Sequence, residues 1–556
     1  MRSSAPQRLT SRIATYPCRV TYDTSGFPHR LRGIAVVAAL AGLLALAGCG
    51  GAQDVSTLPE TRPSGSETTS GGPTSPETST GAGGLPQGFG AGPAGTGLKR
   101  FYEQKVSWTP CDGGQCASIW VPLNYADPNG QAITIKAKRQ VATDPAKRRG
   151  TLLINPGGPG GSGMNYLGYI GLGKSVTAAY DVLGFDPRGV GQSTPVDCLS
   201  NAKLDEFVAA DPTPDTPAEV KQLQQLSKSF AQGCVSRSGP LLAHVSTVEA
   251  ARDMDIIRGV VHDAKLNFFG ASYGTYLGAT YAGLFPKKVG RMVLDGAVDP
   301  LAAPRQSALS QAVGFDDALT SYLSDCVSQG SCPLGSSVDG ARSRLIQLFK
   351  QIDANPLPTS SGRMVTEGLA FLGVIVPLYT RDNWTYLTQA LRQALDGTGD
   401  TLLLLADIYA DRQADGSYAN NSLEVQSAVN CLDHPEDESL RQIEAGGKEF
   451  VDRAPVIGPS AMWWPYTCSN WPVQPSQPQP DFSAKGAGPI VVIGTTRDPA
   501  TPYEQAVKLA AELQSGVLLT RDGDGHTAYG SGNVCIQQAV DSYLVSGTPP
   551  ADGTAC

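Results

Sequence analysis

The stretch Leu266-Asn267-Phe268-Phe269-Gly270-Ala271-Ser272-Tyr273-Gly274 decides how the rest of the chain is read. An apolar run leads into a tight turn, and a helix-like segment follows over residues 273–285. A serine on such a strand-to-helix turn is held in a strained conformation that projects its Oγ above the sheet. A Cβ two positions to either side would strike the neighbouring strand or helix, which accounts for Gly270 and Gly274. The helix N-terminus supplies backbone N–H groups and a positive dipole end beside any oxyanion formed there. Alone, Gly-x-Ser-x-Gly says little in a chain with 64 glycines. The strand–turn–helix setting is what makes Ser272 the candidate nucleophile.

Outward from this turn the pattern alternates. Strand-like runs over residues 117–121, 132–141, 150–155 and 181–185 come before it, then a helical region over 248–261 and a strand over 265–269. A strand over 291–294 follows, and much later a strand (489–493), helix (503–513), strand (516–520) and helix (534–545). Such alternation implies an α/β protein with a mostly parallel central sheet covered on both faces. Between about residues 299 and 487 the rhythm stops. That region reads as helical over 319–327, 341–352, 386–395, 401–412 and 440–450. Because the α/β pattern then resumes, the economical division is a core (98–300), an inserted, largely helical cap (301–487) over the carboxyl ends of the strands, and a second core segment (488–556).

A serine hydroxyl needs a base, and the chain has only five histidines. With the nucleophile on this turn, the acid and then the histidine follow it in the sequence. That leaves His434, inside the cap, and His526, in the loop Asp522-Gly523-Asp524-Gly525-His526-Thr527 after the last long strand. The loop can carry an imidazole back to the serine, so His526 is the expected base. Asp498, in Gly494-Thr495-Thr496-Arg497-Asp498-Pro499, follows a strand one helix and one strand earlier and is the expected acid, with Asp295 and Asp299 as runners-up. Its role is to fix the imidazole tautomer and stabilise the imidazolium. Thr501 stands three residues on, placed to support the acid by a hydrogen bond. Two oxyanion donors are expected: the N–H of Tyr273, and the N–H of Gly158 in Asn155-Pro156-Gly157-Gly158-Pro159-Gly160-Gly161. That loop lacks the Lys-Ser/Thr ending of a phosphate-binding loop and the spacing of a dinucleotide fingerprint. Ser162 and Ser193 read as turn residues.

Acidic groups outnumber basic ones, 51 to 43, and residues 1–48 alone carry six Arg against one Asp. The remainder is therefore more acidic than the net charge of −8 suggests, and nucleic-acid binding is not expected. Arg30 and Arg32 precede an apolar run over 33–47 that ends Leu46-Ala47-Gly48-Cys49. This reads as an export signal (1–48) closing on a lipobox, with Cys49 as the lipidated first mature residue and the membrane as its partner. Residues 49–97, rich in Gly, Pro, Ser and Thr, read as a flexible tether. Without Cys18 and Cys49, ten of the 12 cysteines remain, and an oxidising compartment favours disulfides. Neighbour pairing (111 with 116, 198 with 234, 326 with 332, 431 with 468, 535 with 556) is one arrangement; sequence does not fix connectivity. Neither a metal nor another cofactor is expected.

The motifs at residues 155–163 (NPGGPGGSG), 186–193 (DPRGVGQS) and 270–274 (GASYG), with 494–502 (GTTRDPATP) and 524–526, resemble one family. It is the prolyl and tripeptidyl aminopeptidase branch of the α/β-hydrolase fold, especially its secreted actinobacterial members. The likeness spans roughly residues 106–556, departing at Pro156, where many relatives have His. It implies hydrolysis of peptides from the free N-terminus, with a cap carboxylate binding the α-ammonium at a set distance from Ser272. Asp433, in a Cys-x-Asp pattern similar to the family's cap motif, and Glu424 are the carboxylates to test, and Arg188 is expected to brace the loops. An esterase, lipase or thioesterase would use the same three residues. A non-enzymatic surface lipoprotein is a third reading, opposed by the intact catalytic set.

Overall fold

A computed structural model of the chain describes residues 88–435 and 438–556. The segment read as an export signal (1–48), Cys49 and all but the end of the expected tether lie outside the described residues. The folded body begins earlier than residue 98: β1 (Phe89–Gly90) pairs antiparallel with β4 (Ala132–Gln140), and Arg100 donates to Ala91 O at 2.8 Å and Pro93 O at 3.1 Å. Glycine-rich sequence hid this short strand.

The sheet adds β2 (Thr109–Cys111), β3 (Gly114–Pro122), β5 (Gly150–Asn155), β6 (Tyr180–Phe185), β7 (Leu266–Ala271) and β8 (Val289–Asp295). It ends with β9 (Ile490–Arg497), β10 (Gly516–Asp524) and β11 (Thr554–Ala555). The spatial order is β11-β10-β9-β8-β7-β5-β6-β4-β3-β2; every pair from β6 through β11 is parallel, and β2, β3 and β4 form an antiparallel edge. The central strands are apolar on both faces. Leu153, Phe268 and Met292 enter one core, while Leu152, Phe269 and Val293 enter the other, as a sheet covered on both sides requires. β7 lies mid-sheet, so the turn after it opens where the crossovers leave room above the strand ends.

The cap has its own core, built from helices Pro304–Ser328, Val338–Ala354, Glu367–Leu378, Trp384–Leu395 and Asp400–Ala410 around Leu319, Leu345 and Leu387. Contacts cross the division drawn from sequence in two places. Helices Asn201–Val208 and Pro217–Ser238 bridge core and cap: Val208, Val220 and Leu223 pack on the cap, while Phe207, Phe230 and Cys234 pack into the main core. Conversely, helix Ser422–Asp433, inside the nominal cap, sends Val425, Ala428 and Leu432 into the main core. Disulfides join Cys111–Cys116, Cys198–Cys234, Cys326–Cys332, Cys431–Cys468 and Cys535–Cys556. Five such bonds fit an oxidising, extracytoplasmic compartment. Among the described residues no helix is long and apolar enough to cross a membrane.

Candidate active site

Ser272 sits between β7 and helix Tyr273–Leu284 with φ 55° and ψ −128°, a conformation costly for any residue with a Cβ. The turn survives because its surroundings leave no alternative. A Cβ on Gly270 would lie 2.3 Å from Gly274 O, and one on Gly274 would lie 2.9 Å from Asn155 O. The Ser272 N–H donates to Asp295 O at 2.8 Å. The glycine loop after β5 closes on the same point: a Cβ on Gly157 would stand 2.8 Å from the Ser272 Cβ and 3.0 Å from Tyr273 N. Asn155 holds the loop by accepting the Gly157 N–H at 2.9 Å. Gly158 and Tyr273 both face the cavity over Ser272.

Asp498 follows β9 and is 2% exposed. Its carboxylate accepts the His526 Nδ1–H at 2.8 and 3.0 Å and the backbone N–H groups of Ala500, Thr501 and Thr527 at 2.9–3.0 Å. Four donors converge on one carboxylate. Thr501 contributes its backbone N–H to Asp498, while its hydroxyl stands 3.4 Å from His526 Nδ1. Burial disfavours the His526 imidazolium, but the Asp498 and Asp295 carboxylates outweigh it and raise the ring's pKa above its ordinary value. Asp295 itself accepts the N–H groups of Ala528 and Tyr529, and burial pushes it up to about 6. Asp299 bonds Lys508 at 3.0 Å. Of the three candidate acids, Asp498 is the one brought to the His526 ring. Gly296, next to Asp295, fills the narrow space between strand and ring; a Cβ there would be 3.3 Å from His526 Cε1. Among the described residues no hydrogen bond joins Ser272 Oγ to His526, a contact that often tightens only in the substrate complex.

The cap reaches this loop directly. His526 N–H donates to Tyr379 O at 2.8 Å, and the Tyr379 ring meets the imidazole edge-on, centroids 5.6 Å apart. Sequence reasoning missed Tyr379, which follows helix Glu367–Leu378.

The cavity over Ser272 measures about 250 Å³ and is walled by both core and cap. Among the described residues two acidic side chains line it, Asp299 and Glu438, and no Lys or Arg does. Their cations, Lys508 at 3.0 Å and Arg305 at 3.2 Å, stand behind them. The carboxylates expected from sequence are elsewhere. Asp433 is buried behind Tyr273, accepting the Thr247 N–H at 2.9 Å and its hydroxyl at 2.5 Å, and burial raises it to about 7. Glu424, also raised by burial, accepts the N–H groups of Cys198 and Leu199 at 2.8 Å each. Asp433 is spent on Thr247 and Glu424 on two backbone amides, and neither lines that cavity. His434 lines the cavity, stacked on Tyr276, its pKa lowered by burial. Arg188 is fully buried, donating to Asp253 and to the carbonyls of Pro122, Leu123 and His244. Ser162 donates to Asp186 and Ser193 accepts the Lys136 N–H, so both are structural.

A parallel sheet, a strained serine elbow and a carboxylate-bound histidine beneath a cap define a serine hydrolase of the α/β-hydrolase class. Residues 150–373 match the family described as alpha/beta hydrolase fold, and residues 454–556 the one described as TAP-like protein. The chain is 39% identical to serine protease Hip1 of Mycobacterium tuberculosis over 82% of its length and 91% of the relative's. It is 37% identical to carboxylesterase B of the same species (80% and 86% covered) and 32% identical to tripeptidyl aminopeptidase of Streptomyces lividans (82% and 87%). The chain belongs to the TAP-like α/β-hydrolase family of serine enzymes.

Proposed function

We propose that the protein is an exported serine aminopeptidase that releases short fragments from the free N-terminus of peptides. The observation carrying this is the charge of the cavity: Asp299 and Glu438 at its wall, with no Lys or Arg among the described residues that line it. An α-ammonium group bound there places the first peptide bonds over Ser272. At about 250 Å³ the cavity falls below the roughly 300–1,000 Å³ of pockets for drug-sized ligands, so a short fragment fills it.

Ser272 Oγ attacks the scissile carbonyl while His526 Nε2 takes its proton, and Asp498 holds the ring through Nδ1. The N–H groups of Gly158 and Tyr273 receive the oxyanion. Collapse of the tetrahedral species transfers the proton from His526 to the leaving amine and leaves an acyl-enzyme. Water, deprotonated by the same imidazole, then frees the fragment. The export signal and a lipid on Cys49 would hold this body at the outer face of the membrane; Cys49→Ala should shift it from the membrane fraction to the soluble one, and unchanged partitioning would remove the lipid from the account.

The similarity to carboxylesterase B favours a second reading, an esterase with the same catalytic residues. Turnover of free and N-acetylated tripeptide anilides, beside simple acyl esters, separates the two. The aminopeptidase reading requires strong preference for the free amine, reduced about 10- to 100-fold by Glu438→Gln, the weight of one charged hydrogen bond. Equal cleavage of acetylated peptides, or activity confined to esters, would end it.

A further inference from the structure

Behind Asp498 lies a second cavity of about 470 Å³, and Asp299, Ala302, Ser307 and Gln505 face both it and the cavity over Ser272. We propose that these four residues form a partition, with Gln505 as its crossbar, and that it sets the length of the acyl-side fragment accepted over Ser272. The proposal rests on the reading that this fragment occupies the cavity of about 250 Å³.

Gln505 is 6% exposed in the first turn of helix Tyr503–Glu512. Its Oε1 accepts the Asp299 N–H at 3.1 Å, and its Nε2 reaches Ser310 Oγ, on cap helix Pro304–Ser328, at 3.4 Å. One neutral side chain thus spans from the loop after β8 to the cap. The Ser310 contact is at the long limit for a hydrogen bond, so the crossbar is weakly fastened on the cap side. The Asp299 carboxylate is held at the partition by Lys508, which lines only the second cavity, and by the Leu301 N–H at 3.0 Å. A substrate chain advancing from Ser272 therefore meets a closed wall, and can extend no further. Each added residue needs about 3.3 Å of extended length, which the second cavity would offer once Gln505 is shortened.

The test compares wild type with Gln505→Ala on a free-amine nonapeptide, with released fragments read by mass spectrometry. Wild type should release one short length, and Gln505→Ala should add fragments at least one residue longer, raising their share about tenfold. Ser307→Gly thins the same wall from the cap helix and should act in the same direction, which covers a failure of Gln505→Ala to fold. Val313→Trp fills the second cavity only; alone it should leave the length unchanged, and combined with Gln505→Ala it should restore the wild-type length. Straight-chain nitrophenyl esters from acetyl to dodecanoyl read the wall without an amine. If wild type cleaves only esters, the aminopeptidase reading falls, while a shift of Gln505→Ala toward longer acyl chains upholds the partition. A folded Gln505→Ala or Ser307→Gly enzyme with unchanged fragment and acyl lengths overturns it.

Discussion

Truncating Tyr379 to alanine removes the aromatic edge against His526 but leaves the backbone carbonyl that accepts the His526 N–H at 2.8 Å. The ring also packs on Phe315, centroids 5.4 Å apart, so the change leaves a gap on the cap side of the imidazole. An edge-on aromatic pair is worth about 0.5–1.5 kcal/mol, which at about 1.4 kcal/mol per tenfold gives a loss of about 2- to 13-fold in kcat. KM should stay near wild type, because the ring touches the base and not the cavity wall. Tyr379→Phe keeps the edge and should lose little. Gly525→Ala attacks the same clasp from the other side. Gly525 has φ +107°, and a Cβ there would stand 3.1 Å from Tyr379 O, so strain falls on the histidine's own loop. Misplacing the imidazole by about 1 Å costs on the order of 10²-fold. Steady-state kinetics and the rate of fluorophosphonate labelling of Ser272 read both effects, and circular dichroism checks the fold. A wild-type kcat in folded Tyr379→Ala, or an equal loss in Tyr379→Phe, would refute the claim that the cap steadies the base.

Asp498→Asn should keep the fold while lowering kcat on the order of 10⁴-fold, because the amide favours the wrong imidazole tautomer; near-normal turnover would return Asp295 or Asp299 to consideration. Asp433 is held at about 7 against an ordinary 3.8, so the folded state keeps a proton that the unfolded chain has lost. Stability should therefore fall as pH rises from about 4 to 7 and level off above, and Asp433→Asn should flatten that slope in thermal unfolding. An unchanged slope would mean the carboxyl is not protonated in the fold.

How much was legible follows from which forces are local. The Ser272 turn, the order Ser272–Asp498–His526 and the glycine loop announce themselves because close backbone approach and positive φ restrict the residue choice at each point. Helices were legible where apolar residues recur on one face. Glu367–Leu378 is apolar nearly all round and carries Pro377 inside, so it shows no period, although it delivers Tyr379 to the base. Pro217–Ser238 errs the other way, too polar to mark a buried face. The cavity carboxylates were illegible for a different reason. Asp433, Glu424, Glu438 and Asp299 are all plain acidic residues in the sequence, and only packing decides where each is engaged: the first two by Thr247 and by two backbone amides, Asp299 by Lys508 and the Leu301 N–H at the cavity's edge, and Glu438 by Arg305 at its wall.

That sorting bears on the choice between amide and ester chemistry, which the catalytic residues themselves leave open. A positive charge about 4 Å from one carboxylate gains about 4 kcal/mol at an effective dielectric of about 20. Arg305 and Lys508 already neutralise part of the field of Glu438 and Asp299. The remainder must still cover desolvation of the ammonium, and one carboxylate half-cancelled by its cation leaves little surplus. Two carboxylates lining one cavity, each paired with its own cation, would favour an ammonium more than either alone. A neutral acyl ester gains nothing from either group. Under the proposed aminopeptidase reading, selection for a free amine would rest on the pair acting together, and loss of one should reduce the preference more than half of the pair's combined binding energy would suggest.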